Sequence, residues 1–205
     1  MRKILFIVIL LISFKTVAQN DPKIAFQKSK YKLALSYYKK EDFKKAIDLF
    51  GIAAKIKLEN EIGKESIKKV DTLKLILRKN ILENALGTWK MSGDKPIWAS
   101  ATTKKEQEKD FDELIEISQK EILFYEKNIK TQIKKLTRTE NLVYYNKDRY
   151  DSLYSEIILS DGTIWECMIN EKLNVLHVIN VAKKNEDDVE QIKSDNLERF
   201  YEKVN

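Results

Sequence analysis

The chain has 205 residues, of which 38 are Lys or Arg, 32 are Asp or Glu, five are Gly, and only one each are His and Cys. One cysteine excludes an intrachain disulfide, and five glycines leave no Gly-rich phosphate loop. Lys and Glu are interspersed along the sequence, which reads as a solvated mixed surface and not as the one-sided basic stripe of a nucleic-acid binder.

Residues 1–18 have the layout of a secretory signal. Arg2 and Lys3 precede an apolar run from Ile4 to Phe14, and Thr16-Val17-Ala18 supplies small residues for cleavage. The run is too short to span a bilayer, which takes about 20 apolar residues. Loss of this segment removes Arg2, Lys3 and Lys15 and lowers the formal charge from +6 to +3. The expected product is exported, periplasmic or secreted. It has no cysteine at its new N-terminus to carry a lipid anchor, and the mature chain is not expected to insert stably in a membrane. The later apolar run Leu73 to Leu77 is interrupted by Lys74 and closed by Arg78 and Lys79.

Residues 19–86 show a helical period. Leu33, Ala34 and Tyr37 recur on one stretch, and Ala46, Phe50, Ala53 and Ala54 on the next. Asp42 stands between them, placed to cap the second helix. Ile62, Ser66, Val70, Leu73, Leu77 and Ile81 then mark a third, longer helix. The residues Leu33, Ala34, Tyr37, Ala46, Phe50 and Ala53 lie at the spacing of a tetratricopeptide repeat, which this helix pair resembles over residues 27–60. The resemblance implies close packing of two helices through these six residues. Leu58 at the usual closing proline, and Lys68 and Asn80 where small residues of a next repeat would fall, imply one repeat-like pair plus a capping helix. One unit alone does not build the long peptide groove of an array.

Residues 87–205 change to alternation and turns, which predicts an antiparallel β-domain. Strands are expected near 89–91, 112–117, 121–126, 131–137, 141–145, 152–159, 163–169, 175–181 and 197–204, with a polar loop over 93–109 containing Trp98. Asp161-Gly162 is the strongest hairpin signal. Such a run of short strands suggests a meander closed as a barrel. The overall expectation is therefore α+β: a helical segment followed by an antiparallel barrel-like domain. Gly87-Thr88-Trp89 resembles the Gly-x-Trp signature of lipocalins. That resemblance implies that Trp89 closes the bottom of the barrel, with Arg199 from the last strand packed over it.

Candidate chemistry is sparse. Hairpins centred on Lys172 and on Asp161-Gly162 would place Glu156, Cys167 and His177 in one cross-strand row. Their order puts the cysteine in the middle, where Glu156 does not orient the histidine as a catalytic carboxylate must. With Trp165 they are instead candidates to line a ligand pocket. Glu186, Asp187, Asp188 and Glu190 form an acidic run read as a solvated loop or helix start, and no spacing suits zinc. No metal or other cofactor is expected. The leading expectation is a non-enzymatic exported binding protein holding a small apolar ligand in its barrel. The alternatives are an envelope protein that acts on another envelope protein through its helices, and a thiol enzyme using Cys167 and His177.

Overall fold

The structure, a computed structural model, describes residues 21–93, 110–185, 189–192 and 197–204. The signal-like segment, Trp98 and its loop, and Glu186 to Asp188 lie outside the described residues. The fold is α+β: among the described residues, three helices are followed by nine strands in one sheet. The chain forms two compact units. One comprises Met1–Leu75 with Lys147–Ser152, and the other Ile76–Asn146 with Leu153–Asn205. The boundary falls inside the third helix.

In the helical unit, α1 is Pro22–Lys39, α2 is Phe43–Ile56 and α3 begins at Glu61 of its span Glu61–Ala85. Each start is set by a short polar side chain that satisfies an otherwise orphaned backbone N–H. Asp21 accepts from Lys23 N at 2.9 Å, Asp42 from Lys45 N at 3.3 Å, and Asn60 from Gly63 N at 2.8 Å. Ala46, Phe50, Ala53 and Ala54 of α2 and Ala34 of α1 are fully buried. Leu33, expected in this contact, is 44 % exposed. The inward face of α1 is Gln27, Tyr31, Ala34 and Tyr38, and Leu33 lies about 100° around the helix from Ala34. Tyr31 meets Phe50 edge-on at 5.6 Å and Tyr38 meets it at 6.5 Å. Tyr37 is half-buried beneath Lys45, whose Nζ lies 5.3 Å from its ring centre.

Gln27 is the polar centre of this unit. Its Nε2 donates to Ala53 O at 2.9 Å and Lys57 O at 3.0 Å, and its Oε1 accepts from Asn60 at 2.6 Å. It thus pairs carbonyls at the end of α2 that lack helical partners. A second buried polar pair joins Lys74 to Asp151 at 2.5 Å, with side-chain exposures of only 7 % and 10 %.

The β-unit holds the last turns of α3 and the sheet. The strands are β1 Gly87–Gly93, β2 Phe111–Ile117, β3 Glu121–Asn128, β4 Lys134–Asn141, β5 Glu156–Ile158, β6 Thr163–Ile169, β7 Val175–Lys184, β8 Val189–Gln191 and β9 Glu198–Lys203. The order is β4-β3-β2-β1-β9-β7-β6-β5, with β8 on β7, and every pairing is antiparallel. β1 to β4 pair in sequence order, as do β5 to β8, and β9 returns to join β1 to β7. The sheet is not closed. Its end strands β4 and β5 share no ladder, and the segment after β4 reaches β5 by one bridge, Tyr144 to Ile157. Two features account for this: β5 has only three residues, and β4 stops at Asn141.

A carboxylate also spans these two ends. Glu140 is 2 % exposed and accepts from Ser160 N and Ser160 Oγ, both at 2.8 Å, and from Arg138 Nε at 2.5 Å. Burial pushes its carboxyl upward, but Ser160 and Arg138 together outweigh that and hold it below the usual carboxylate range. A depressed folded-state value stabilises the fold above the unfolded carboxylate pKa, and that contribution is lost as pH falls through the folded value. Chemical denaturation from pH 7 to pH 3 should show the loss beginning near pH 4–5. Glu140→Gln should start about 2 kcal/mol lower at pH 7 and fall less on acidification.

Candidate functional site

The β-unit core gathers Ala85, Trp89, Ile115, Ile117, Ile122, Ile157, Leu159, Trp165, Leu176, Val178 and Tyr201. Within it lies a part-open cavity of about 40 Å³. Such a space holds about three waters at ~10–15 Å³ each. Ile81, Leu82 and Ala85 of α3 form one wall and Trp165, Cys167 and Ile169 of β6 another, with Leu176 and Val178 beside them. Tyr144 and Ser155, in the irregular stretch between β4 and β5, add to the lining, as do Ile115, Ile117, Ile122, Leu142 and Ile157. The surface is apolar except for one thiol and two hydroxyl-bearing side chains.

Tyr144 is fixed from two directions. Its hydroxyl donates to Arg78 O at 3.2 Å, and the Arg78 guanidinium lies 4.5 Å from its ring centre. Arg78 Nη2 in turn donates to Tyr145 O at 3.2 Å, Asn146 Oδ1 at 2.8 Å and Leu153 O at 3.3 Å. Burial raises the Tyr144 hydroxyl pKa against the opposing pull of Arg78, so it remains a donor at neutral pH.

Trp165 and Cys167 line the cavity, whereas Glu156 and His177 do not. Two turns decide this. The β5–β6 hairpin closes through three residues, Ser160 to Gly162. Leu159 pairs with Thr163, and Gly162 takes a φ of 82°. This loop carries a left-handed third residue, where a Cβ would also sit 2.2 Å from Lys184 O. Glu156 therefore faces Glu166. The β6–β7 hairpin has a four-residue loop with Leu173 at φ 57°, which pairs Cys167 with Val178 and Met168 with His177. Each slip of one residue moves a side chain to the other face.

His177 thus lies on the opposite face from Cys167 and cannot take its proton. It stacks on Phe200 with ring centres 4.2 Å apart, and its Nε2 is 2.8 Å from Glu198 Oε2. Burial, with the charges of Glu156 and Glu166, pushes the Cys167 thiol up to about 12. Thiolate is the reactive form, so Cys167 in the folded chain should label with a maleimide at pH 7.4 at least ~100-fold more slowly than after denaturation.

Trp89 is fully buried at the corner where α3 ends. Gly87 has a φ of 113° and lets the helix turn directly into β1. Trp89 Nε1 donates to Ala85 O at 2.7 Å. The cation over its ring is Lys203, with Nζ 5.1 Å from the centre and bonded to Asn84 O at 3.1 Å. Arg199 shares that face of β9 but lies four residues further along, about 13 Å away, and its side chain bonds Tyr201. The register Trp89 to Lys203 sets this exchange of roles.

Sequence reasoning did not find Ile81, Leu82 or Ala85 as cavity residues, although the period of α3 continues through the first two. Tyr144 lay within the strand expected near 141–145 and was not singled out. No group of metal-ligating side chains occurs among the described residues, and none of the described helices is long and apolar enough to cross a membrane. No family model matches the chain, and no curated protein or solved structure matches it significantly.

Proposed function

We propose that this is an exported, non-enzymatic binding protein whose β-unit takes the apolar end of a small ligand, such as an alkyl terminus. The observation that carries the reading is the cavity between α3 and β6, apolar in nearly all its lining and about 40 Å³ in volume. Its size favours a terminal group of a few carbons over a whole drug-sized molecule. The strand order, with the last strand returned to the first, supports a lipocalin-like working arrangement whose interior is mostly filled by side chains. The placement of Cys167 and His177 on opposite faces of the sheet supports a binding role over thiol catalysis.

Native mass spectrometry of the purified chain, with and without millimolar hexanol or butanol, tests the reading. Bound small molecule and a raised melting temperature are expected, and Val178→Phe, which fills the cavity, should abolish both. A chain that retains nothing and gains no stability from either compound overturns it. Retention of a protein in place of a small molecule moves the function to the helices.

A further inference from the structure

We infer that the solvent-facing side of α1 is a docking surface for an anionic lipid bilayer. The helix Pro22–Lys39 contains five lysines and no acidic residue over its 18 residues. Elsewhere in the chain acids are frequent, 32 in 205 residues. Its buried side is marked by Gln27 and Ala34, both fully inaccessible. The opposite side carries an uncharged strip of Ala25, Phe26, Ser29, Leu33, Ser36 and Tyr37. Phe26 is 52 % exposed and Leu33 44 %. They stand two turns apart on one line, about 10 Å along the axis.

Lysines border this strip on both sides: Lys28, Lys32 and Lys39 on one, Lys23 and Lys30 on the other. Among the described residues none of Lys23, Lys28, Lys32 and Lys39 forms an ion pair, while Lys30 leans over the Phe26 ring at 5.0 Å. A partner must therefore offer negative charge on both sides of two apolar anchors at once. Phe26 and Leu33 project outward from the strip, so the partner must also receive two apolar side chains. A broad anionic surface with a soft apolar interior meets both conditions. Lysine stems lie along the apolar layer while their ammonium groups reach the headgroups, and each such lysine strengthens the attachment to acidic lipid. Docked in this way, α1 lies in the membrane plane through Phe26, Leu33 and the flanking lysines alone, and keeps its other face on α2. This gives the chain a reversible attachment that requires no spanning segment.

Co-sedimentation of the full chain with vesicles tests this. Vesicles of phosphatidylcholine with 30 % phosphatidylglycerol should bind at least about tenfold more protein than phosphatidylcholine alone at 0.1 M salt, and 0.5 M salt should erase most of the difference. Lys28→Glu with Lys32→Glu and Lys39→Glu should lower the partition to anionic vesicles at least about tenfold. Phe26→Ser with Leu33→Ser should lower it about fivefold or more. All altered side chains are solvent-facing, and unchanged circular dichroism verifies the fold. Residues 1–20 are common to every protein compared, so the differences report on α1. Equal binding of wild type and both variants overturns the inference. So does binding to polyglutamate, without a preference for anionic vesicles, which assigns the surface to an acidic protein.

Discussion

Replacing Lys74 by Met is expected to destabilise the helical unit by about 3–5 kcal/mol, the scale for leaving a buried charge without its partner. Asp151 is the group left behind. It is about nine-tenths buried, and its Oδ2 already accepts from Asp148 N at 2.6 Å, so it has little room to turn toward water. Lys74→Met together with Asp151→Leu should recover most of the loss, because two apolar side chains of similar size fill the site without a desolvation penalty. Urea denaturation of the wild type, both single variants and the double variant completes the cycle. A coupling energy below about 0.5 kcal/mol would falsify the view that this pair acts as a unit. The pair also anchors Lys147–Ser152, which belongs with the helices although it comes from between two strands. Tyr150 O in that segment lies where a Cβ on Gly51 would be, at 2.8 Å. Loss of the ion pair should therefore expose residues 147–152 to proteases before the helices themselves unfold.

The second large effect is expected at Trp89. Trp89→Ala should cost about 3–5 kcal/mol, as for other buried aromatic truncations. Three contributions are lost together: the ring's packing, the bond from Nε1 to Ala85 O, and the face beneath Lys203. Trp89→Phe separates them. It keeps an aromatic ring but orphans a carbonyl in the last turn of α3, for an expected cost of about 1–3 kcal/mol. Lys203→Met should cost less, about 1 kcal/mol, because its ammonium interacts with a helix end that other groups also satisfy. Thermal unfolding by circular dichroism ranks the three. A cost at Lys203 equal to that at Trp89 would contradict the assignment of the ring as the main contributor.

Local signals in the sequence were mostly readable. Asp42 caps α2 as its position suggested, and β6 spans Thr163–Ile169 where alternation placed it. The class, helices followed by antiparallel strands, follows from the switch of hydrophobic period near Gly87. What escaped were properties set by single-residue differences or by distant pairs. The dipeptide Asp161-Gly162 marks a turn, but it does not fix whether the loop holds two residues or three, and that choice decided which residue faces Cys167. Lys74 looked like a charge interrupting an apolar run because its partner is 77 positions away. Arg199 and Lys203 are both cations on one face of β9, and only the register with β1 selects the one above Trp89. Closure of the sheet was overestimated for a related reason. Residues 141–145 and 152–159 alternate like strands, yet only Tyr144 and the three residues of β5 pair there.

The position of β9 has a consequence in time. Among the described residues this strand joins β1–β4 to β5–β7, apart from the single bridge Tyr144 to Ile157, and β9 begins 111 residues after β1. At synthesis rates of about 5–20 residues per second, the first strand waits roughly 6–20 s for its second neighbour. Throughout that interval the four-stranded half has an open edge along β1, and Trp89 lacks its cover from Lys203. The two halves of the sheet are therefore joined late, when β9 becomes available to cover the β1 edge.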